Sequence, residues 1–298
     1  MSATKCLALA VLALSASLPA WILGRSAGAE EVAQGTAIRI GVASSMFRDT
    51  PEPMVQVMVK PLKSLLETQT GLNGQMVTSV DAMTLGNQLA DDKLQLGIFH
   101  GFEFAWVLQK HPELKPLIIA VNPPSCAKVS VIVRKECTAK EVADLKGKKL
   151  TVAQHTREHC HLFLDRKCPQ CPAKFFAEVS TPADFEDALD AIVDGTADAT
   201  VIDGLCLDTY AQRKPGRFAR LKTLVQSEPF PRAVVVCNPA NFDEATQKRF
   251  LEGMLNATQT KKGQQLLTLC RITGFEKVPA EYEKELKEIA KAYPAPGK

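Results

Sequence analysis

The chain has 298 residues, 46% hydrophobic and 23% charged, with a formal net charge of +3, the profile of a globular protein large enough for one or two cores. That balance points away from nucleic acid, because basic residues such as Lys146, Lys148, Lys149, Arg213 and Lys214 are scattered and not interleaved with aromatics, as solvated faces are. The first 29 residues stand apart: Lys5, an apolar run from Cys6 to Leu14 and the small residues Ala27-Gly28-Ala29 read as a secretory signal peptide cleaved after Ala29. The run is broken by Ser15, Ser17 and Pro19 and is too short to span a membrane. A periplasmic location is therefore expected. Export leaves eight cysteines, from Cys126 to Cys270, where disulfides can persist, and their connectivity is not derivable from spacing.

Along the chain, "AIRIGVAS" (37–44) reads as a strand, and apolar Met54, Val57, Met58, Leu62, Leu65 and Leu66 give a helix over 53–68. A strand ("NGQMVTSV"), a helix ("AMTLGNQLADDK"), a strand ("LQLGIFH") and a helix from about 102 to 110, closed by His111-Pro112, lead to the strand "LKPLIIAVN". The pattern then restarts. "KVSVIVRK" is a strand, "TAKEVADLKGK" a short helix ended by Gly147, and "KLTVA" a strand followed by a helix starting near Thr156. "FFAEVS" is a strand, "TPADFEDALDAIVDG" a helix with Thr181 as cap and Pro182 at its first position, and "ADATVID" a strand. Strands "RLKTLVQS" and "RAVVVCN" precede amphipathic helices at 242–257 and 281–293. Strands alternating with helices imply parallel sheets covered on both faces, here as two α/β units. No Gly/Ser linker separates them, so the crossing segments are expected to act as hinges.

"ADLKGKKLTVA", then "DALDAIVDGTADATVID" and "SEPFPRAVVV", resemble in order the signatures of the phosphate/phosphonate-type periplasmic substrate-binding proteins of ABC transporters. Upstream, "IRIGVAS" and "LQLGIFHGFEFAWVLQKHPELKPL" resemble that family's first strand and its third strand with the following helix; "GFEKVPAEYEKELKEIAKAY" resembles its C-terminal end. The similarity runs over about 37–293. It implies a two-lobed α/β fold of the type II-like kind with two crossover strands, each lobe a mixed, mostly parallel sheet flanked by helices. Lobe 1 would be 37–121 plus 238–298 and lobe 2 would be 122–237. The resemblance further implies hinge closure on a small polar, anionic, phosphate- or phosphonate-like ligand and delivery to an ABC permease, with peripheral contact to that membrane transporter, no cofactor and no catalysis.

Ligands of open α/β sheets sit beyond the carboxyl ends of strands, where helix N-termini favour anions. That rule selects the loop 154–158, with His155, Thr156 and Arg157 as ligand residues and Thr156 as helix N-cap. The family's loop here is rich in Ser, Thr and Gly; this chain keeps only Thr156 of that pattern, and Arg157 offers a bidentate contact instead. On the opposite wall the rule selects Ser44 and Ser45 after the first strand, as ligand donors or helix caps, and His100 and Glu103 after the third, as a pair that binds an ammonium-bearing or hydroxylated ligand or responds to pH, or as a satisfied loop histidine and a solvated glutamate. Asp203, at the end of "ATVID", matches the acidic position with which the family meets a ligand's amino group; capping the next helix is its alternative role.

A second reading comes from His155-Thr156-Arg157-Glu158-His159. This H-x-x-E-H pattern puts two imidazoles on one helical face, and Cys160, His161, Cys168 or Cys171 could complete a metal site. A metal-binding or thiol-redox protein on the same scaffold, or a sensory binding module, are the alternatives to transport. No G-x-S-x-G, P-loop or G-x-G-x-x-G motif is present to support an enzyme.

Overall fold

A computed structural model describes residues 37–48, 50–168, 170–270 and 272–296; the expected signal peptide lies outside them. In chain order the elements are β1 (Ala37–Ala43), α1 (Glu52–Thr70), β2 (Asn73–Val80), α2 (Ala82–Ala90), β3 (Leu96–Phe99), α3 (Gly101–Lys110), β4 (Lys115–Val121), β5 (Val129–Arg134), β6 (Lys149–Thr151), α4 (Glu158–Lys167), α5 (Pro172–Phe175) and β7 (Glu178–Ser180). They continue with α6 (Phe185–Asp194), β8 (Ala199–Asp203), α7 (Gly204–Arg213), α8 (Pro215–Phe218), β9 (Leu221–Gln226), β10 (Val234–Cys237), α9 (Glu244–Leu255), α10 (Lys261–Leu269), β11 (Gly274–Lys277) and α11 (Tyr282–Ala292). No described helix is long and apolar enough to cross a membrane.

The strands form a six-stranded sheet ordered β11-β4-β10-β3-β1-β2 and a five-stranded sheet ordered β7-β6-β8-β5-β9. This is the expected two-lobed α/β architecture. The sheets are mixed more evenly than expected. β1 runs parallel to β2 and β3, while β10 pairs antiparallel with both β3 and β4, and β11 with β4. In the second sheet β6 is parallel to β7 and β8, and β5 is antiparallel to β8 and β9. Four of the five antiparallel pairs involve β5 or β10, which enter their sheets straight from a crossing segment, without the intervening helix that a parallel return requires; the fifth adds β11, which follows α10, to the edge of the sheet beside β4. The same pairing corrects the boundary expected at 237, because β10 belongs to the six-stranded sheet.

The segments joining the sheets lie side by side. The Phe230 N–H donates to the Ala127 carbonyl at 2.8 Å and the Ser227 N–H to the Val129 carbonyl at 2.8 Å. They act as paired ribbons and not as free tethers. One apolar cluster passes through them, joining Phe102 and Phe104 of α3 to Val131 of β5 and Phe163 of α4, with Phe230 from the second crossing. A second cluster packs α1 and α9 on the other face of the six-stranded sheet, and a third packs α6 and Tyr210 on the five-stranded one.

Local signals explain several boundaries. α1 ends at Gly71, whose φ of 65° is the left-handed conformation that glycine adopts without Cβ strain. α6 starts at Asp184 and not at Thr181-Pro182: the Asp184 carboxylate accepts from the Glu186 and Asp187 N–H groups at 2.8 and 2.9 Å, a charged acceptor outcompeting a hydroxyl. The helix expected over 138–148 shrinks to a single 3-10 turn, Val142–Leu145, tied down by Asp144. α10 and β11 were not expected. α10 carries glycine and a polar run, and its start is fixed by Thr260, whose hydroxyl accepts from the Gly263 N–H at 2.9 Å.

The seven cysteines whose side chains are described are free thiols, so the expected disulfides are not formed among them. Packing keeps three of them apart: Cys160 and Cys237 are fully buried in different clusters and Cys206 packs against a third.

Candidate functional site

A cavity of about 1210 Å³ lies between the lobes. The rule of strand carboxyl ends accounts for its polar walls, since β1, β3, β6 and β8 all deliver their following residues to it.

On the six-stranded side, Ser45 lines the cavity while Ser44 turns outward and is exposed. His100 is the N-cap residue of α3 in extended backbone (φ −62°, ψ 145°), and its ring stacks on Phe102 with centroids 5.3 Å apart. Although the residue as a whole is half-buried, its Nε2 is sealed from solvent and has no hydrogen-bond partner among the described residues. Burial, reinforced by the nearby His159, lowers its pKa from 6.5 to about 3, so the ring is neutral at physiological pH. Glu103 lies one turn behind the wall, 5% exposed, and does not line the cavity. Its carboxylate accepts from the His100 backbone N–H at 3.4 Å. Burial raises its pKa from 4.5 to about 7; the adjacent Ser45 hydroxyl, which makes no hydrogen bond of regular geometry, pulls the other way. Glu103 thus meets the His100 backbone and not its ring, and only the histidine faces the cleft.

On the five-stranded side, His155, Thr156, Arg157 and Asp203 line the cavity as expected. Thr156 is not the cap of α4. Its hydroxyl donates to the Ala153 carbonyl at 2.6 Å, and the N-cap residue is Arg157, which supplies no side-chain cap. His155 adopts φ 57°, a left-handed conformation that costs a non-glycine residue about 1 kcal/mol or more and concentrates at functional loops. Its Nδ1 is 3.4 Å from the Arg48 carbonyl on the opposite wall. Asp203, 4% exposed, caps α7 by accepting from the Cys206 N–H at 3.1 Å, and its other oxygen is 3.6 Å from Arg157 Nε. Both roles weighed for Asp203, cap and cleft carboxylate, are therefore open to it at once.

The walls are joined by a contact that no local pattern announces. Arg48, just after β1, forms a bidentate ion pair with Glu158, the first residue of α4. Below it, Phe230 of the second crossing packs on Phe102, His159 and Tyr293, with centroids 5.9, 5.3 and 4.9 Å away. Arg48 and the buried Asn122 Oδ1, both at the cavity, were not among the expected residues. The strand-end rule could have found Arg48 had it been carried five residues past β1.

The metal alternative loses its geometric premise. His155 precedes α4, so His155 and His159 do not share a helical face. Cys160 is fully buried with its thiol pKa pushed up by burial. Among the described residues no group of three or more His, Cys, Asp and Glu side chains is placed to hold a metal.

What the arrangement offers is capture: three ten-residue helices, α3, α4 and α7, begin at one cavity and bring their positive ends to it. No curated protein matches the chain in sequence at a significant level. Among solved structures, the fold is similar to a binding protein component of an ABC phosphonate transporter from Pseudomonas aeruginosa (12% identity, 86% of this chain and 85% of that one, TM-score 0.56). It is also similar to XAC2383 from Xanthomonas citri bound to ATP (16%, 87% and 97%, TM-score 0.59) and to PhnD1 from Prochlorococcus marinus in complex with methylphosphonate (14%, 86% and 97%, TM-score 0.54). The family model of the phosphonate periplasmic substrate-binding protein of ABC transporters matches residues 47–282, and the chain belongs to that family.

Proposed function

We propose that the chain captures a small oxyanion of the phosphonate or phosphate class between its lobes and presents it to an ABC permease. The observation that carries this reading is the convergence of the α3, α4 and α7 N-termini, from both lobes, on one cavity that also receives Arg48 and Arg157. Oriented N–H groups and the Arg157 guanidinium together suit a tetrahedral anion, with Arg48 held beside them by Glu158. Neutral His100 lines the cavity beside the α3 start without adding charge to it. Asp203 beside Arg157 leaves room for a ligand that also carries an ammonium group. In this reading Ser45, His100, His155, Thr156, Arg157 and Asp203 contact the ligand, Glu103 holds the α3 start behind His100, and Ser44 plays no part.

Titration calorimetry with methylphosphonate, phosphate, phosphite and sulfate tests it. At least one of these should bind, and Arg157→Ala should weaken that binding by tenfold or more, the scale of a charge-assisted hydrogen bond. Absence of binding by all four anions overturns the reading.

A further inference from the structure

The cavity is too large and too apolar for a small anion alone. Pockets that hold drug-sized ligands span about 300–1,000 Å³, and this one reaches about 1210 Å³. Its polar part is the interlobe cleft. From there it continues as an arm along the face of the six-stranded sheet that α1 and α9 cover, past Ile98 and Val235 on the strands and Leu62 and Phe250 on the helices. Five of the chain's seven methionines line the cavity: Met46, Met54, Met58, Met76 and Met254. Methionine is unbranched, with a polarizable thioether, and surfaces rich in it accommodate flexible apolar ligands. Met54 and Met58, at 54% and 46% exposure, and Leu269, at 65%, leave the arm open on one side. Large apolar side chains exposed together beside a polar cleft mark a binding surface.

Resting on the oxyanion reading, we infer that the ligand is a single-chain amphiphile, with an oxyanion head in the cleft and an aliphatic tail along the methionine-lined arm. Head and tail belong to one molecule because the polar walls and the apolar arm belong to one cavity. The charges fit that division. Arg48 and Arg157, paired with Glu158 and Asp203, and three helix starts sit at the head end, whereas the arm is lined by uncharged side chains such as Met58, Leu62 and Phe250.

The test is a calorimetric series of methyl-, butyl- and octylphosphonate, kept below micelle-forming concentrations, on the full chain. A fully buried methylene strengthens binding about fourfold, and roughly twofold where one side stays wet, so octylphosphonate should bind at least about 100-fold tighter than methylphosphonate. Met58→Glu and Met54→Glu, at half-exposed positions that tolerate a carboxylate, should remove most of that gain while weakening methylphosphonate binding far less. Equal affinity for methyl- and octylphosphonate overturns the amphiphile while the oxyanion reading stands. Octanol binding as tightly as octylphosphonate removes the anionic head and overturns the amphiphile, the arm remaining an apolar site, while binding of the small anions alone decides the oxyanion reading. No binding by any member of the series overturns the amphiphile, and the oxyanion reading falls with it only where phosphate, phosphite and sulfate fail as well.

Discussion

The two walls of the cleft manage charge in opposite ways. On the six-stranded side, burial dominates and drives each group toward its neutral form, His100 to a pKa of about 3 and Glu103 to about 7. On the five-stranded side, charges are kept and paired: Arg157 lies against Asp203, and Glu158 reaches across to Arg48. Desolvation responds to pH and little to salt, whereas ion pairs near the surface respond to salt. The first wall is therefore a place for proton-dependent behaviour and the second for ionic-strength dependence. Measurements that separate these two responses test the contrast directly.

The largest expected effect is on the first wall in acid. The unfolded chain protonates His100 near 6.5 and the folded chain near 3, so the unfolded state binds more protons between these values. Stability is fully present above 6.5 and is lost as pH falls toward 3, by at most about 5 kcal/mol at 1.36 kcal/mol per unit. His100→Gln should melt with a much shallower dependence between pH 6.5 and 3 than the parent. Identical acid slopes would remove His100 from the argument.

Glu103 works in the other direction. Its folded pKa of about 7 exceeds the unfolded 4.5, so the folded state holds the extra proton, and stability falls as pH rises from 4.5 through 7, by about 3 kcal/mol. Between pH 4.5 and 6.5 the two residues offset each other, which predicts a plateau there. Glu103→Gln keeps an oxygen to accept from the His100 N–H and cannot ionise. Denaturant titrations should show the variant gaining on the parent by about 3 kcal/mol between pH 5 and 8; an equal difference at both values would mean that the carboxyl is not held neutral.

On the second wall the effects are smaller. Asp203→Ala removes both the α7 cap and the partner of Arg157, and should cost about 1–2 kcal/mol. Asp203→Asn keeps a capping oxygen for the Cys206 N–H and should cost less, with a loss that shrinks as salt is added. A loss of the same size for both variants, unmoved by salt, would show that Asp203 acts through packing alone.

How much of this was legible in the sequence follows from the range of each signal. The strand-to-helix switches place Ser45, His100 and Asp203 at the cavity, because a strand end and the next helix start are fixed within a few residues. Thr156 was misassigned because a hydroxyl near a helix start can satisfy either the helix N–H groups or a carbonyl behind it, and here Ala153 offers the closer partner at 2.6 Å. β10 was recognised as a strand but placed with the wrong sheet, since alternation reports burial and not which neighbours supply the hydrogen bonds. Arg48 and Glu158 lie 110 residues apart, and the methionines of the apolar arm come from α1, β2, α9 and the turn after β1. Such groupings are properties of the fold, and no window of sequence contains them.

The Arg48–Glu158 pair yields the smallest effect on stability and the most specific one on motion. Its side chains are 38% and 19% exposed, so solvent screening limits its contribution to about 1 kcal/mol or less. Within one lobe that would be lost among other surface contacts. Between lobes it acts on a single equilibrium, because the pair is made only when the walls meet, and 1 kcal/mol changes the ratio of closed to open molecules about fivefold. Arg48→Gln and Glu158→Gln should therefore leave the melting temperature within a few degrees of the parent yet shift the distribution of distances between labels on the two lobes toward longer values at low salt. Half-molar salt should make parent and variants alike. Distance distributions that coincide at low salt would assign closure to the Phe230 cluster and the paired crossing segments, leaving the ion pair as a consequence of closure and not one of its causes.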